Sequence, residues 1–334
     1  MNLKIGTWNT MLQPWFTNET EVIKAVAETK FDVLALQSVW SEGAKDRILA
    51  DPAVSRRYPY SHWTTAHQES AGADLDDPIM NYLVQNYVGC LIAYGVNTQQ
   101  LYQPAGAPMP TDCQYLRIGI AIHNYNPANA LAVACLENAM QELPPANAFD
   151  AVGICGASQG KKYAYNGSPG ILILSRTPMT NIQEVPFEDF GVKRVNTHVT
   201  IQGLRLGIGS FQANWLLDID PYLAPLQYGN SSVDQSNDMI NAGVEVVVGT
   251  VNSGPDYQSE AHLNLLNHFA AQFALPTYCT PALSNLPQCV GKPQRSIDNI
   301  YIRNGIGSCK TDVFEQAPIS DHIGIVASCL FTGR

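Results

Sequence analysis

Pro318-Ile319-Ser320-Asp321-His322 stands near the end of the chain, directly before a short apolar stretch at residues 323–326. A strand over residues 323–326 would place Asp321 and His322 directly before its first residue. An aspartate beside a histidine at the end of a strand suits general acid–base chemistry, or the orientation of a phosphoryl oxygen. Three residues match by chance too often to decide a fold, so this stretch gains its weight from the segments that accompany it.

Five other segments occur in an order that a known family shares. The earliest, Leu3-Lys4-Ile5-Gly6-Thr7-Trp8-Asn9, is a predicted strand that ends in a polar side chain. The others are residues 31–39, 170–176, 244–252 and 297–301. Taken with Ser320-Asp321-His322, they resemble the motifs of the endonuclease/exonuclease/phosphatase superfamily over nearly the whole chain, from Leu3 to Cys329. Within that superfamily, Tyr58-Pro59-Tyr60 and residues 161–167 are similar to the bacterial neutral sphingomyelinases.

The resemblance implies an α/β protein with the four-layer α/β/β/α sandwich of DNase I-like proteins, formed by a single domain over residues 1–334. The segment from about residue 67 to 167 is too long for an ordinary loop. It is therefore predicted to be an insertion with its own structure that covers the mouth of the active site. Within it, the sequence predicts a helix at residues 78–87 and a strand at residues 116–123. The mouth is predicted to be lined by Asn9, Ser38, Phe211, Thr250, Asn252 and His322.

Three positions depart from the family pattern. The family's metal-binding Glu after a Leu-Gln pair falls on Ser38, the Asp of its Gly-Asp-x-Asn motif on Thr250, and the His of its Thr-His-Leu motif on Phe211. Mg²⁺ prefers hard anionic oxygen ligands, so exchanging two carboxylates for hydroxyls removes two negative charges from its shell. The sequence therefore predicts no metal and no other cofactor, and metal-assisted phosphodiester cleavage that fails or is very weak.

The family positions that are retained are Asn9, Asn252, Asp321 and His322. His322 with Asp321 is the candidate acid–base pair, and the alternative is a structural remnant in which Asp321 holds backbone amides at the sheet centre. The candidates for binding a polar group of a ligand are Asn9, Asn252, Ser38, Phe211 and Thr250. Asn9 and Asn252 have an alternative role as buried hydrogen-bond partners of the two sheets.

A cluster of carboxylates, Asp74-Leu75-Asp76-Asp77, lies in the insertion. Its spacing is similar to the Asp-x-Asp-Asp acid motif of class II terpene cyclases, in which a flanked central carboxyl stays protonated. This similarity makes Asp76 a further catalytic candidate. The favoured alternative is a solvated loop or the first turn of the following helix, where Asp is stabilising and Pro78 fits.

Composition limits the partners. The formal net charge of −10 argues against DNA or RNA, whose phosphates need Lys and Arg, and a small neutral or zwitterionic molecule fits better. No apolar run approaches the length of a membrane-spanning helix. Met1 leads directly into a predicted strand without a signal peptide, which favours a cytoplasmic protein, or a secreted one if a leader was removed. The sequence leaves the oligomeric state open.

The chain has eight cysteines at wide spacings that match neither a zinc site nor a redox Cys-x-x-Cys motif. Cys279 and Cys289 bracket a loop and could form a disulfide. Cys309 and Cys329 could pair across neighbouring strands. Buried free thiols in a reducing compartment are an equal alternative.

Three functions remain open. The leading hypothesis is a divergent sphingomyelinase-like protein that is repurposed for metal-independent acid–base catalysis, as an isomerase, cyclase or lyase, on a small organic ligand. The second is a non-catalytic binding protein for a small molecule, a sugar or a lipid headgroup. The third is a weak residual phosphodiesterase whose metal is held by other groups, such as Asp298 and Asp321. Fold resemblance cannot choose among them, because function belongs to the site.

Overall fold

The computed structural model contains two β-sheets of six strands each, with helices packed against them. The structure describes residues 1–10, 19–39, 42–65, 75–93, 111–125, 149–156, 170–187, 194–211, 231–256, 259–283, 294–314 and 320–332, and the single positions 129, 136, 147 and 289.

The strands are β1 (Asn2–Asn9), β2 (Val33–Gln37), β3 (Tyr60–Trp63), β4 (Leu172–Ser175), β5 (Met179–Phe187), β6 (Arg194–Ile201), β7 (Leu204–Ser210), β8 (Val246–Thr250), β9 (Phe269–Ala271), β10 (Asp298–Arg303), β11 (Gly307–Phe314) and β12 (Gly324–Phe331). The α-helices are α1 (Glu19–Glu28), α2 (Glu42–Ala50), α3 (Pro52–Arg57), α4 (Pro78–Ala93), α5 (Thr111–Ile122), α6 (Asp150–Gly156), α7 (Ser231–Asn241) and α8 (Glu260–Leu266). Short 3₁₀ turns lie at His123–Tyr125 and Pro281–Leu283.

The first sheet has the strand order β11-β12-β1-β2-β4-β3. Its central strands β1 and β2 are parallel, with Asn9 opposite Gln37, so both end at the same edge of the sheet. Strand β12 runs antiparallel to β1, with Thr7 opposite Ile325. Because of this opposite direction, β12 begins where β1 and β2 end.

The second sheet has the order β5-β6-β7-β8-β10-β9 and repeats this arrangement. Strands β7 and β8 are parallel, with Ser210 opposite Thr250. Strand β10 is antiparallel to β8, with Asp298 opposite Thr250. Each sheet therefore has one edge where two parallel strands end and an antiparallel strand begins.

One apolar core lies between the two sheets, because alternate residues of each strand point to the same face. Strand β1 contributes Leu3 and Ile5, and the facing sheet contributes residues such as Val248 and Ile300. On the outer faces, apolar residues of α1 and α3 pack on the first sheet, and those of α7 and α8 pack on the second. The predicted four-layer α/β/β/α sandwich is confirmed.

Three disulfides join described cysteines. Cys279 pairs with Cys289 and Cys309 with Cys329, the two pairs that the sequence allowed. Cys90 of α4 pairs with Cys113 of α5, which cross-links two helices of the insertion. Among the described helices, none combines the length and the apolar character that a membrane span requires.

The insertion leaves and re-enters the first sheet at one point. Trp63, at the end of β3, pairs with Leu172, at the start of β4, and Leu172 also pairs with Leu36 of β2. The indole of Trp63 donates to the carbonyl of Val39 at 2.9 Å, two residues beyond the end of β2. The two points at which the insertion joins the sheet thus lie beside the end of β2. That the insertion covers the mouth of the active site stays a prediction.

The secondary structure of the insertion was predicted in part. The helix predicted at residues 78–87 is confirmed as the start of α4 (Pro78–Ala93). The strand predicted at residues 116–123 is wrong, because most of this segment belongs to helix α5. Cys113 and Ile120 of α5 are both buried and lie seven residues apart, a helical spacing that the alternating pattern concealed.

Gly249 offers a test of the close approach between β7 and β8. Its φ of +138° is a backbone conformation that glycine adopts readily and other residues rarely adopt. A Cβ at this position would lie 2.0 Å from the carbonyl oxygen of Gly209. We expect Gly249→Ala to lower the free energy of unfolding by about 3 kcal/mol in urea denaturation. Gly243 has φ +67°, and a Cβ there would meet no atom of the described residues within 4 Å, so Gly243→Ala should lower the free energy of unfolding by about 1 kcal/mol. Equal losses would contradict a role for the backbone contact.

Candidate active site

The polar candidates gather where the parallel strands end. We call this place the site edge: the carboxyl ends of β1, β2, β7 and β8 and the amino ends of β10 and β12. Side-chain alternation explains which residues face inward there. Leu3 and Ile5 of β1 belong to the inter-sheet core, so Asn9 continues their row. Thr250 and Asp298 continue the inward rows of β8 and β10 in the same way, at directly paired positions.

His322 forms a buried pair with Asp298 across the two sheets. His322 lies just before β12 of the first sheet, and Asp298 begins β10 of the second. The Nδ1 atom of His322 is 2.6 Å from Oδ2 of Asp298. The other oxygen of Asp298, Oδ1, accepts a hydrogen bond of 2.6 Å from the hydroxyl of Thr250. Both carboxylate oxygens of Asp298 are therefore occupied, and the imidazole is held from its Nδ1 side.

The opposite ring nitrogen of His322 faces the remaining polar candidates. Its Nε2 atom lies 3.5 Å from the amide Nδ2 of Asn9 and 3.9 Å from Oδ1 of Asp321. That oxygen of Asp321 is buried and has no hydrogen-bond partner among the described residues. When Nδ1–H donates to Asp298, Nε2 of the neutral ring carries the lone pair and is the atom that can take up a proton.

The backbone around His322 is fixed by neighbours on both sides. The hydroxyl of Ser320 donates to the carbonyl of Asn9 at 2.7 Å and accepts from the amide of His322 at 3.1 Å. The indole of Trp8 donates to the carbonyl of His322 at 3.1 Å. These bonds tie the Ser-Asp-His stretch to the end of β1, so the imidazole has a defined position relative to Asn9.

Burial and charge act together on the two ionisable groups of this stretch. Burial opposes protonation of His322, but the charge of Asp298 and its hydrogen bond outweigh it, and the pKa of His322 is raised above the ordinary histidine value. Burial raises the pKa of Asp321 above the ordinary aspartate value, although the charge of His322 acts in the opposite direction. Both side chains therefore hold a proton more readily than exposed ones do.

Asn252 and Ser38 adopt backbone conformations that L-residues rarely take, with φ of 55° and 61°. Asn252 follows β8, and its side-chain Nδ2 donates to the carbonyl of Phe211 at 2.5 Å. Ser38 follows β2 and is buried at the site edge. Left-handed residues of this kind concentrate at functional sites, where the surrounding structure maintains them.

Phe211 reaches the site edge with its backbone and not with its ring. Ser210 continues the inward row of β7, so the next side chain points to the outer face. The ring is fully buried in the cluster beneath α7 and α8, together with Met239 and Leu265. The expectation that this ring lines the mouth is therefore corrected: Phe211 contributes the carbonyl that binds Asn252.

Asp76 is exposed in the turn before α4. Its neighbour Asp77 caps α4, accepting the amides of Ile79 at 2.8 Å and Met80 at 3.2 Å. Asp77 also binds Nε2 of His123 at 2.7 Å. These contacts match the start of a helix, the favoured alternative for this cluster, and Asp74 falls outside the described residues. A catalytic role of Asp76 stays a prediction.

The sequence missed Asp298 as the partner of His322 and assigned that role to Asp321. The two carboxylates differ in position, because Asp298 engages Nδ1 and Asp321 lies near Nε2. A signal was present in the sequence, since Asp298 is a lone acid at the head of the apolar stretch Ile300-Tyr301-Ile302. A buried acid at the start of a core strand needs a partner of its own.

Comparison with solved structures identifies the architecture. A crystal structure of SmcL matches with a TM-score of 0.51 at 12% identity, over 98% of each chain. An endonuclease/exonuclease/phosphatase from Beutenbergia cavernae matches with a TM-score of 0.50 at 13% identity, over 99% of this chain and 72% of its own. The chain has the fold of the endonuclease/exonuclease/phosphatase (DNase I-like) superfamily. No family sequence model matches the chain, and no curated protein matches it by sequence.

The donors at the site edge bear on the divalent metal that the superfamily pattern implies. Ser38 and Thr250 supply hydroxyls where the superfamily pattern has carboxylates, and both oxygens of Asp298 are already bonded. Across the described residues, no three His, Cys, Asp or Glu side chains lie together as metal ligands. Mg²⁺ prefers several anionic oxygens in an octahedral shell. The absence of a metal from this site stays a prediction.

Asp321→Asn tests the cost of burying the charge of this carboxylate. The folded-state pKa of Asp321 is raised, so its stabilising contribution is complete below the unfolded value of about 3.9 and is lost as the pH rises through the folded value. The amide keeps the shape and removes the charge. We expect the variant to have a higher free energy of unfolding than the wild type in urea denaturation at pH 8, with the difference vanishing near pH 4. Asp312→Asn, on exposed β11, is the control. A variant that is less stable than the wild type at pH 8 would contradict this assignment.

Proposed function

We propose that the protein is a metal-independent acid–base catalyst that acts on a small organic ligand at the site edge, as an isomerase, cyclase or lyase. The observation that carries the proposal is the buried pair of His322 and Asp298, 2.6 Å apart, with Nε2 of His322 directed away from that contact. A histidine whose Nδ1 is held by a carboxylate carries its lone pair on Nε2 and is suited to general base catalysis.

Each neighbour has a role in this chemistry. Asp298 fixes the orientation of the imidazole and stabilises the imidazolium that forms when Nε2 accepts a proton from the ligand. Asn9 lies beside Nε2 and offers an amide group for binding the reacting part of the ligand. Asp321, whose pKa is raised by burial, is the group that can return a proton at a second position. Moving one proton off and another onto the ligand gives an isomerisation, or an elimination when a bond breaks between the two steps.

The charge of the protein supports a small ligand over a nucleic acid. The formal net charge of −10 gives no general attraction for a polyphosphate chain. Asn9, Ser38, Thr250 and Asn252 are neutral hydrogen-bonding groups, and a neutral or zwitterionic molecule with hydroxyl, carbonyl or amide groups suits them. A second candidate function is ligand binding without turnover. The hydrogen bonds of Asp298 to His322 and Thr250 favour this binding function, because such a network also forms a rigid surface against which a ligand can bind.

A residual phosphodiesterase is the weakest of the three hypotheses. It would need a metal held by Asp298 and Asp321, but Asp298 has both oxygens bonded to Thr250 and His322. Rearranging it would separate the pair that the acid–base chemistry requires.

The disulfides bear on the compartment. Cys90–Cys113, Cys279–Cys289 and Cys309–Cys329 are three cross-links in one chain, and structural disulfides persist in oxidising surroundings. This favours the secreted alternative over the cytoplasmic one, and we propose an oxidising compartment for the working protein.

Metal titration separates the acid–base proposal from a phosphodiesterase. With hydroxyls at Ser38 and Thr250, isothermal titration of the wild type with Mg²⁺ or Ca²⁺ should show no binding near physiological concentrations. Ser38→Glu with Thr250→Asp adds two carboxylates at the family's positions and should gain weak affinity. Ser61→Glu with Thr180→Asp adds the same charge at exposed positions of β3 and β5 and should gain none. Stoichiometric binding to the wild type, with metal-dependent cleavage of bis-p-nitrophenyl phosphate, would sink the proposal.

Removal of the imidazole tests the reaction itself. EDTA-treated protein is incubated in D₂O with a small-molecule extract of the organism that makes it, and mass spectrometry detects compounds that gain deuterium or change structure. We expect wild-type-dependent turnover that falls by about 10²- to 10⁴-fold in His322→Ala, because the general base is lost. His268→Ala, exposed after α8, is the control and should keep full activity. A compound that binds tightly without any turnover would establish the binding protein instead.

A further inference from the structure

Thr277, Tyr278 and Cys279 form a short bridge between the two sheets, which we call the clamp segment. It pairs with Arg295, just before β10. The amides of Thr277 and Tyr278 donate to the carbonyl of Arg295 at 2.8 and 2.9 Å, and Arg295 returns a bond to Tyr278 at 3.2 Å. Isolated bridges join Tyr278 to Arg295 on one side and to His322 on the other. The clamp segment thus lies between the two halves of the acid–base pair.

On the side of the second sheet, the clamp segment fixes the backbone of Asp298. The hydroxyl oxygen of Thr277 accepts hydrogen bonds from the amides of Ile297 at 3.2 Å and Asp298 at 3.0 Å. A buried threonine oxygen with two amide donors sets the start of β10 firmly. The direction in which the Asp298 carboxylate leaves the backbone depends on this contact.

On the side of the first sheet, the same three residues fix the backbone around His322. The carbonyl of Thr277 accepts from the amide of Ile323 at 2.8 Å, and the amide of Cys279 donates to the carbonyl of Asp321 at 2.8 Å. The ring of Tyr278 packs edge-on against the imidazole, with ring centroids 5.1 Å apart. Both residues flanking His322 in sequence are therefore bound to the clamp segment.

The clamp segment is closed by the disulfide between Cys279 and Cys289. Cys279 has φ of 45°, a left-handed conformation that a non-glycine residue adopts only when its surroundings enforce it. Both cysteines are buried in a small apolar cluster with Tyr278, Leu283 and Ile297. The cross-link and this cluster hold the backbone in a form that the local sequence would not select.

We propose that the clamp segment and its disulfide are positioning elements that set the contact between His322 and Asp298. The inference rests on the proposed function in treating that contact as the working pair. The two side chains come from different sheets, and a hydrogen bond weakens steeply once its donor and acceptor separate beyond about 3.2 Å. Thr277 is a positioning residue, since it touches the backbone on both sides and no reacting atom.

The first experiment removes one oxygen from the clamp. Thr277→Val keeps the shape and deletes the acceptor of the two amides, whereas Thr277→Ser retains it. The readout is the ring nitrogen spectrum of protein labelled with ¹⁵N-histidine, in which the signal lost in His322→Gln identifies His322 among the seven histidines. In Thr277→Val we expect the bonded Nδ1 proton of His322 to weaken and its titration midpoint to move toward about 6.5. The other six histidines stay unchanged, and Thr277→Ser restores the wild-type signals.

The second experiment opens the cross-link. Cys279→Ser with Cys289→Ser should change the His322 signals as Thr277→Val does, while Cys309→Ser with Cys329→Ser, which opens the disulfide between β11 and β12, should leave them as in the wild type. Unchanged His322 signals in folded Thr277→Val would overturn the inference. So would equal changes in both disulfide variants, because general loosening would then explain them. The Thr277 variants keep all cysteines and decide the matter where a disulfide variant does not fold.

The readout also separates this inference from the proposed function. The spectrum reports the contact between His322 and Asp298 directly, without any substrate. A clamp that shifts the His322 signals in a protein with no detectable turnover would leave the clamp established and the catalytic proposal overturned.

Discussion

His322 and Asp298 come from different sheets, and their 2.6 Å contact forms only where the two sheets keep a fixed spacing at one edge. The core between the sheets sets that spacing, because close-packed apolar side chains resist compression and leave little room to slide. The rows that fill the core also end at the site edge, so a polar side chain such as Asn9 continues each row where the apolar residues stop. The same strands therefore supply both the apolar core and the polar residues of the site edge.

The polar residues at the site edge differ from a magnesium site mainly in charge. The hydroxyl of Thr250 donates a hydrogen bond to the carboxylate of Asp298. An aspartate at this position would instead add a second negative charge. The negative charge that remains is directed at the imidazole, and a buried carboxylate that faces a histidine makes the ring more basic. In the proposed function, hydroxyls at the family's carboxylate positions favour proton transfer at His322 over binding of a cation.

Much of the fold follows from the sequence, because the inner strands are short apolar segments that end in polar residues, and parallel strands bring such ends together. The resemblance to the endonuclease/exonuclease/phosphatase superfamily placed Asn9, Thr250 and His322 at one such edge. The direction of individual side chains could not be predicted, since it depends on strand alternation at positions where the strand is ending. Phe211 falls on the outer face for this reason, and the pairing of Asp298 with His322 depends on the spacing between sheets, which no single strand reveals. Helix α5 was mistaken for a strand because its apolar residues also alternate over a short window.

The paired residues Trp63 and Leu172 have a consequence for how this architecture diversifies. Strands β3 and β4 are antiparallel neighbours, so the chain leaves β3 and enters β4 at the same end of the sheet. The chain between Trp63 and Leu172 can therefore lengthen or be exchanged while the registers of β2, β3 and β4 stay the same. The hydrogen bonds between these strands do not involve the chain between Trp63 and Leu172, and the entropic cost of a longer connection rises only slowly with its length. The segment between these two residues is therefore exchangeable: another segment joined at Trp63 and Leu172 would leave the three strand registers as they are.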